Sequence, residues 1–166
     1  MAHTYTNLIH QFNRLLSSPL AAVAQVNGNA AHAGLHGEVL FFHIADGTLV
    51  VAELMGLPKG SGDCDRPILG FHIHEGGACS GTAQDPFADA GGHWNPGNCP
   101  HPMHAGDMPP LFSNDGCAWQ AFYTNRFIPA DVIGHTVIVH NMPDDFHSQP
   151  SGDAGQKIAC GTIVQL

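Results

Sequence analysis

Positive charge is scarce in this sequence. Lys and Arg together number five in 166 residues, against fourteen Asp and Glu, for a formal charge of −9. The five cations, Arg14, Lys59, Arg66, Arg126 and Lys157, are scattered, so no basic face exists for phosphates and nucleic acid is excluded as a partner. An acidic protein can still handle a small anion where one local cation dominates the field. Charged residues make up only 11% of the chain, yet no run approaches the roughly 18 consecutive apolar residues of a membrane-spanning helix. The five cysteines, Cys64, Cys79, Cys99, Cys117 and Cys160, include no CxxC pair. That argues against a cysteine-only zinc site and leaves one or two disulfides, with three thiols or one over. The first thirty residues lack the basic stretch and long apolar run of a secretory leader. A cytoplasmic location is the expectation, with a periplasmic or extracellular one if a leader has been removed.

Histidine, by contrast, is abundant: thirteen residues. Excess histidine signals metal when it clusters. His3, His10, His32, His36 and His43 are dispersed without ligand spacing, whereas His72, His74, His93, His101 and His104 fall close together, followed by His140.

The chain reads as an N-terminal helical extension over 1–19 and one domain over 20–166. Leu8, Ile9, Phe12, Leu15 and Leu16 line one face of a helix over 6–16, which Ser17, Ser18 and Pro19 end. Beyond it the pattern turns to short extended runs between glycine-rich turns. Segments 21–26, 37–43, 48–54 and 67–75 are expected as strands, with a hairpin turn at Ala45-Asp46-Gly47. Segments 117–124, 136–140 and 158–166 supply three or four more. Residues 76–116 are mostly Gly, Pro, Asp, Asn and His without periodicity, and a loop of that length is expected to be functional or tied down. The fold class is all-β: an antiparallel sandwich or barrel of about eight strands with long loops.

The donors sit in three places. In Phe71-His72-Ile73-His74-Glu75, residues two apart on a strand share a face, so His72 and His74 project together while Phe71 and Ile73 point to the core. His93 stands in the loop segment Gly91-Gly92-His93-Trp94-Asn95-Pro96. The segment His101-Pro102-Met103-His104-Ala105-Gly106-Asp107 offers two imidazoles and a carboxylate, each three apart, a set that suits zinc. His140 ends the β-branched run from Thr136, at a strand end facing a loop. Seven donors exceed one tetrahedral site and fall one short of two separate ones. The count closes if one histidine bridges two metals through its two ring nitrogens. His135 and His147 show no partner pattern and are expected in solvent. Cys117 reads as a buried thiol, Cys64 and Cys99 as a second disulfide or as free thiols, and Trp119, Phe122 and Tyr123 as core or dimer surface.

The segments GFHIHEGGACSG, GGHWNP, HPMHAGD, VIVHNMPDD and GDAGQKIACGTI resemble, in order, the signature blocks of copper/zinc superoxide dismutases, and with the strands between them span roughly residues 20–166. The resemblance implies a Greek-key order for the strands, and copper held by His72, His74, His93 and His140. It implies zinc held by His93, His101, His104 and Asp107, with His93 bridging. It further implies that Asp144 links a copper histidine to a zinc histidine, and that Cys79 and Cys160 form the disulfide tying the loop to the last strand. The implied activity converts superoxide to dioxygen and hydrogen peroxide by Cu(II)/Cu(I) cycling, with His93 and Lys157 as catalytic residues; the sequence leaves the oligomeric state open, a homodimer being one possible assembly. Lys157 stands where the family usually carries arginine, keeping the charge but losing the planar two-pronged donor; reduced activity is expected. The close spacing of His101 and His104 and the short, cation-free loop 142–156 suggest an open copper site and a trimmed zinc loop. Two rival readings stand beside this one. The first is a family member that binds copper and zinc with little or no turnover. The second is a zinc hydrolase built on His72 and His74, which would need an open zinc and a general base.

Overall fold

The computed structural model describes residues 18–62 and 64–166, so the helix expected over 6–16 lies outside the described residues. Among the described residues nine strands are formed: β1 (Leu20–Gly28), β2 (His36–Ile44), β3 (Gly47–Met55), β4 (Ile68–Leu69), β5 (Phe71–His74), β6 (Leu111–Phe112), β7 (Cys117–Thr124), β8 (Thr136–His140) and β9 (Lys157–Gln165). One short helix, α1 (Pro129–Val132), precedes β8.

Alternation builds the sheet. Ala22, Ala24 and Val26 of β1, Val39 and Phe41 of β2, and Val50, Ala52 and Leu54 of β3 all turn inward to one core. Each removes its side chain from water, a gain of about 0.8 kcal/mol per buried methylene. The β2–β3 hairpin turns through Ala45 and Asp46, and the Tyr123 hydroxyl donates to Asp46 Oδ1 at 2.7 Å to hold the turn.

Seven strands pair antiparallel in the order β5-β8-β9-β1-β2-β3-β7. The chain passes between the β3–β7 side and the β5–β8 side three times, from β3 to β5, from β5 to β7 and from β7 to β8, which gives the Greek-key path. The two edges then approach one another: β4 runs into β5, β6 runs into β7, and β4 pairs with β6. The sheet is therefore curled almost into a barrel. Segment 67–75, expected as one strand, is broken at Gly70, where the chain leaves its β6 partner and takes up β8.

β5 and β8 are buried at every residue. Their two faces go to different places. Phe71, Ile73, Val137 and Val139 join the main core, while Ile138 packs with Phe87, Ala90 and Cys160 under the long loop. By alternation His72, His74 and His140 share that second, loop-covered face.

β7 differs from expectation. Its outward residues include Cys117, Trp119 and Tyr123, all exposed, so Cys117 is not a buried thiol; Phe122 packs on the core as expected. Cys64 and Cys99 are free and exposed, so no second disulfide forms. His135 is also not simply solvated. Its Nδ1 donates to the Glu75 carbonyl at 2.7 Å and its ring lies 5.4 Å from that of Trp94. His147 is exposed, with Nδ1 donating to the Asp145 carbonyl at 2.9 Å.

Candidate metal centre

β5 is an edge strand, and its free edge would expose unpaired backbone groups. The long loop covers it. Trp94 N donates to Ile73 O at 2.8 Å, Ile73 N to Gly106 O at 2.9 Å, and Glu75 N to Gly92 O at 2.9 Å. This pairing places His93 beside His74 and Asp107 beside His72. Gly106 is required there, because a Cβ would stand 2.4 Å from Ile73 O. Satisfying one strand edge thus delivers two loop donors to the histidines of the strand.

The structure brings all seven expected donors together. The nitrogens of His72, His74, His93 and His140 lie within 4.8 Å of one another, and so do the donor atoms of His93, His101, His104 and Asp107. His93 belongs to both sets. All six histidines are buried.

Counting the ring nitrogens shows what is missing. His74 Nδ1 donates to Gly91 O at 2.9 Å and His140 Nδ1 to Gly155 O at 3.2 Å. Each neutral ring has then used its proton, and the two Nε2 lone pairs face one another at 3.2 Å. Two acceptors at that separation repel unless a cation lies between them. His72 Nε2 donates to Asp144 Oδ2 and His101 Nε2 to Asp144 Oδ1, both at 2.9 Å. Their Nδ1 atoms, with His93 Nε2, are buried without a hydrogen bond, and the His101 Nδ1 lone pair faces Asp107 Oδ2 at 3.1 Å. An unpaired buried polar atom costs about 1–3 kcal/mol, so three in one cluster call for a ligand. The residues fit two metal ions.

Protonation agrees. Burial, aided by neighbouring imidazoles, pushes His74 well below its ordinary value and His140 down to about 3. Burial also lowers His72 and His104. Burial would raise Asp107 and Asp144, but hydrogen bonds outweigh it. His93 holds Asp107 below the usual carboxylate range, and His72, the Phe146 amide and His101 hold Asp144 well below it. Neutral imidazoles and ionised carboxylates are the forms that bind metal.

Two supporting residues escaped the sequence reading. Arg126 Nη1 donates to the carbonyls of His104 at 3.0 Å, Asp107 at 3.2 Å and Pro102 at 3.4 Å, clamping the loop that carries the second donor set. Gln149 pairs with the backbone of His101 in both directions, accepting from its N at 3.0 Å and donating to its O at 2.7 Å. Neither has a local motif. Cys79 and Cys160 form a disulfide with Cα atoms 5.6 Å apart, and it fastens the loop to β9. Lys157 opens β9 opposite His140, but its ammonium is engaged by Asp85 Oδ2 at 2.8 Å and Phe87 O at 3.1 Å.

Residues 35–163 match the family model described as copper/zinc superoxide dismutase (SODC). Superoxide dismutase (Cu-Zn) 2 of Aquifex aeolicus is 33% identical over 155 residues, covering 80% of this chain and 85% of that one. The corresponding protein of Deinococcus radiodurans is 35% identical over 138 residues, covering 72% of each. Among solved structures, a double mutant of a SOD-like protein from Bacillus subtilis superposes with a TM-score of 0.69 at 28% identity, over 86% of this chain and 96% of that one. With the fold, the paired donor sets and the shared sequence all in agreement, this chain belongs to the copper/zinc superoxide dismutase family.

Proposed function

We propose that this chain dismutes superoxide to dioxygen and hydrogen peroxide at a histidine-bridged pair of metals. Copper would be held by His72 Nδ1 and the Nε2 atoms of His74, His93 and His140. Zinc would be held by His101, His104, Asp107 and the other nitrogen of His93. The observation that supports this most directly is the facing pair of committed imidazoles, His74 and His140, beside three buried nitrogens without a hydrogen bond. Copper and zinc are the family's metals, and copper, when bound, supplies the one-electron chemistry that zinc lacks.

The chain's own residues do the rest. Asp144 fixes the tautomers of His72 and His101 at once, so both present Nδ1 to their metals. His93 is the one ring able to carry a proton at Nε2 while Nδ1 stays with the zinc set, which suits it to deliver a proton to departing peroxide. Lys157 supplies the positive charge nearest His140 on the pairing strand. The zinc set has four protein donors and no open position, which disfavours the hydrolase reading.

The compartment turns on the Cys79–Cys160 bond. Disulfides persist in oxidising surroundings, so this one points toward a non-reducing compartment rather than the cytoplasmic one expected from the sequence. Among the described residues no helix is long and apolar enough to cross a membrane.

The test is metal content with superoxide consumption, on protein reconstituted with both metals. One copper and one zinc per chain, with activity abolished by His140→Ala, is the expected result. Both metals bound without activity would move the reading to metal carriage. Lys157→Arg is expected to raise kcat/KM, and an unchanged value would refute the assigned role of the lysine. The homodimer belongs to the same reading, and a monomeric mass by sedimentation would remove it.

A further inference from the structure

Lys157 is not a free cation at the mouth of the site. Its side chain is 16% exposed, and its ammonium donates to Asp85 Oδ2 at 2.8 Å and to Phe87 O at 3.1 Å. Asp85 is held independently of the lysine. Its Oδ1 accepts from Phe87 N at 3.2 Å, its N donates to Thr82 Oγ1 at 3.1 Å, and its carbonyl accepts from Thr82 N and Ala88 N. Phe87 is buried against Ala90, Ile138 and the disulfide cysteine Cys160, so this turn is seated on the loop-covered face of the sheet. The carboxylate is therefore fixed in place by its own turn and its anchor.

Beside the pair lies an open cavity of about 630 Å³ whose lining includes Asp85, Gly155, Gln156 and Lys157. The Gly155 carbonyl in that wall is the acceptor for His140 Nδ1, so the cavity reaches the back of a donor in the proposed copper set. Lys157 itself pairs with His140 across the β8–β9 ladder. Together Asp85 and Lys157 bring a net charge of zero to the neighbourhood of His140.

We propose that Asp85 is a positioning residue that sets the strength of anion attraction at the copper site, fixing the Lys157 ammonium and offsetting its charge. This inference rests on the copper reading above. Its consequence is that the charge balance of the 85/157 pair limits anion capture, over and above the choice of lysine instead of arginine.

Asp85→Asn keeps one of the two acceptor oxygens and removes the negative charge. In copper- and zinc-loaded protein, azide titrated against the copper absorption should bind Asp85→Asn on the order of threefold more tightly than the unsubstituted chain, as expected for one unit charge several ångströms away in a water-like dielectric. The second-order rate with superoxide should rise similarly and fall more steeply with added salt. Asp85→Ser, which also removes the charge, should repeat both changes. Metal stoichiometry equal to that of the parent shows that each variant is folded. Unchanged azide affinity and salt slope in both variants would overturn the proposal, as would weaker azide binding with a flatter slope. Failure of the parent chain to bind copper, or of azide to perturb its spectrum, would instead bring down the copper reading itself.

Discussion

Asp144 spends both carboxylate oxygens on two histidines of different donor sets, His72 and His101. Asp144→Ala leaves two buried ring N–H groups without an acceptor and both rings free to turn. Loss of such a supporting partner typically costs 10–100-fold in metal affinity, so both metals should bind more weakly by about that factor, measured by competition with a chromophoric chelator. Acid should act on the same cluster. In the metal-free chain His74 and His140 stay neutral well below the model-peptide value of 6.5, His140 down to about 3, while the unfolded chain's histidines take up protons near 6.5. The unfolded state thus binds more protons across that window, and stability falls as pH drops from about 6.5 toward 3. The urea midpoint of metal-free protein should be lower at pH 5 than at pH 7.5; a midpoint that is flat or rises on acidification would contradict the assigned shifts. The donors themselves were legible because spacing along the chain is enough to suggest them: two apart on a strand, three apart in a turn. Asp85 was not, since its partner Lys157 lies 72 residues away, and Gln149 reaches its partner across 48.

Loops carry most of the site, and their rigidity comes from a few close approaches. Gly152 has φ of 68°, in the left-handed region, and a Cβ there would stand 2.0 Å from Asp144 Oδ1 and 2.7 Å from His101 Nε2. Gly152→Ala should therefore displace Asp144, lowering zinc and copper affinity much as Asp144→Ala does, without touching any donor. Arg126 acts on the other loop. Removing its three carbonyl contacts in Arg126→Met should weaken zinc binding more than copper binding, because Pro102, His104 and Asp107 lie on the segment of the second donor set. Equal loss of both metals would show that the clamp serves the whole domain. The strands over 21–54 and 117–124 could be read as extended runs between turns, and 136–140 as a β-branched run. β6 could not, because two residues hold no period, and the break at Gly70 follows from a change of pairing partner that no local pattern records. Cys117 was misread for a related reason: β7 is the outer edge of the sheet, and only the topology says which of its faces meets water.

Across the whole molecule, one bond closes the long loop. Cys79 and Cys160 are separated by 81 residues. Constraining a loop of that length in the unfolded chain is worth about 4 kcal/mol in the entropy model. The double substitution Cys79→Ser with Cys160→Ser should lower the unfolding free energy of metal-free protein by an amount near that figure, read by urea titration. A loss under about 1 kcal/mol would mean that the loop is held chiefly by its pairing with β5. The pairing of Cys79 with Cys160 was implied by the family resemblance, and the fold forms it.

His93 stands in both donor sets, and that membership binds their thermodynamics together. Two ions drawing on one imidazole form a linked system, in which each changes the affinity of the other by the same factor whichever arrives first. On the reading proposed above, zinc, which does no chemistry of its own, would then bear on how tightly copper is kept, and copper equally on zinc.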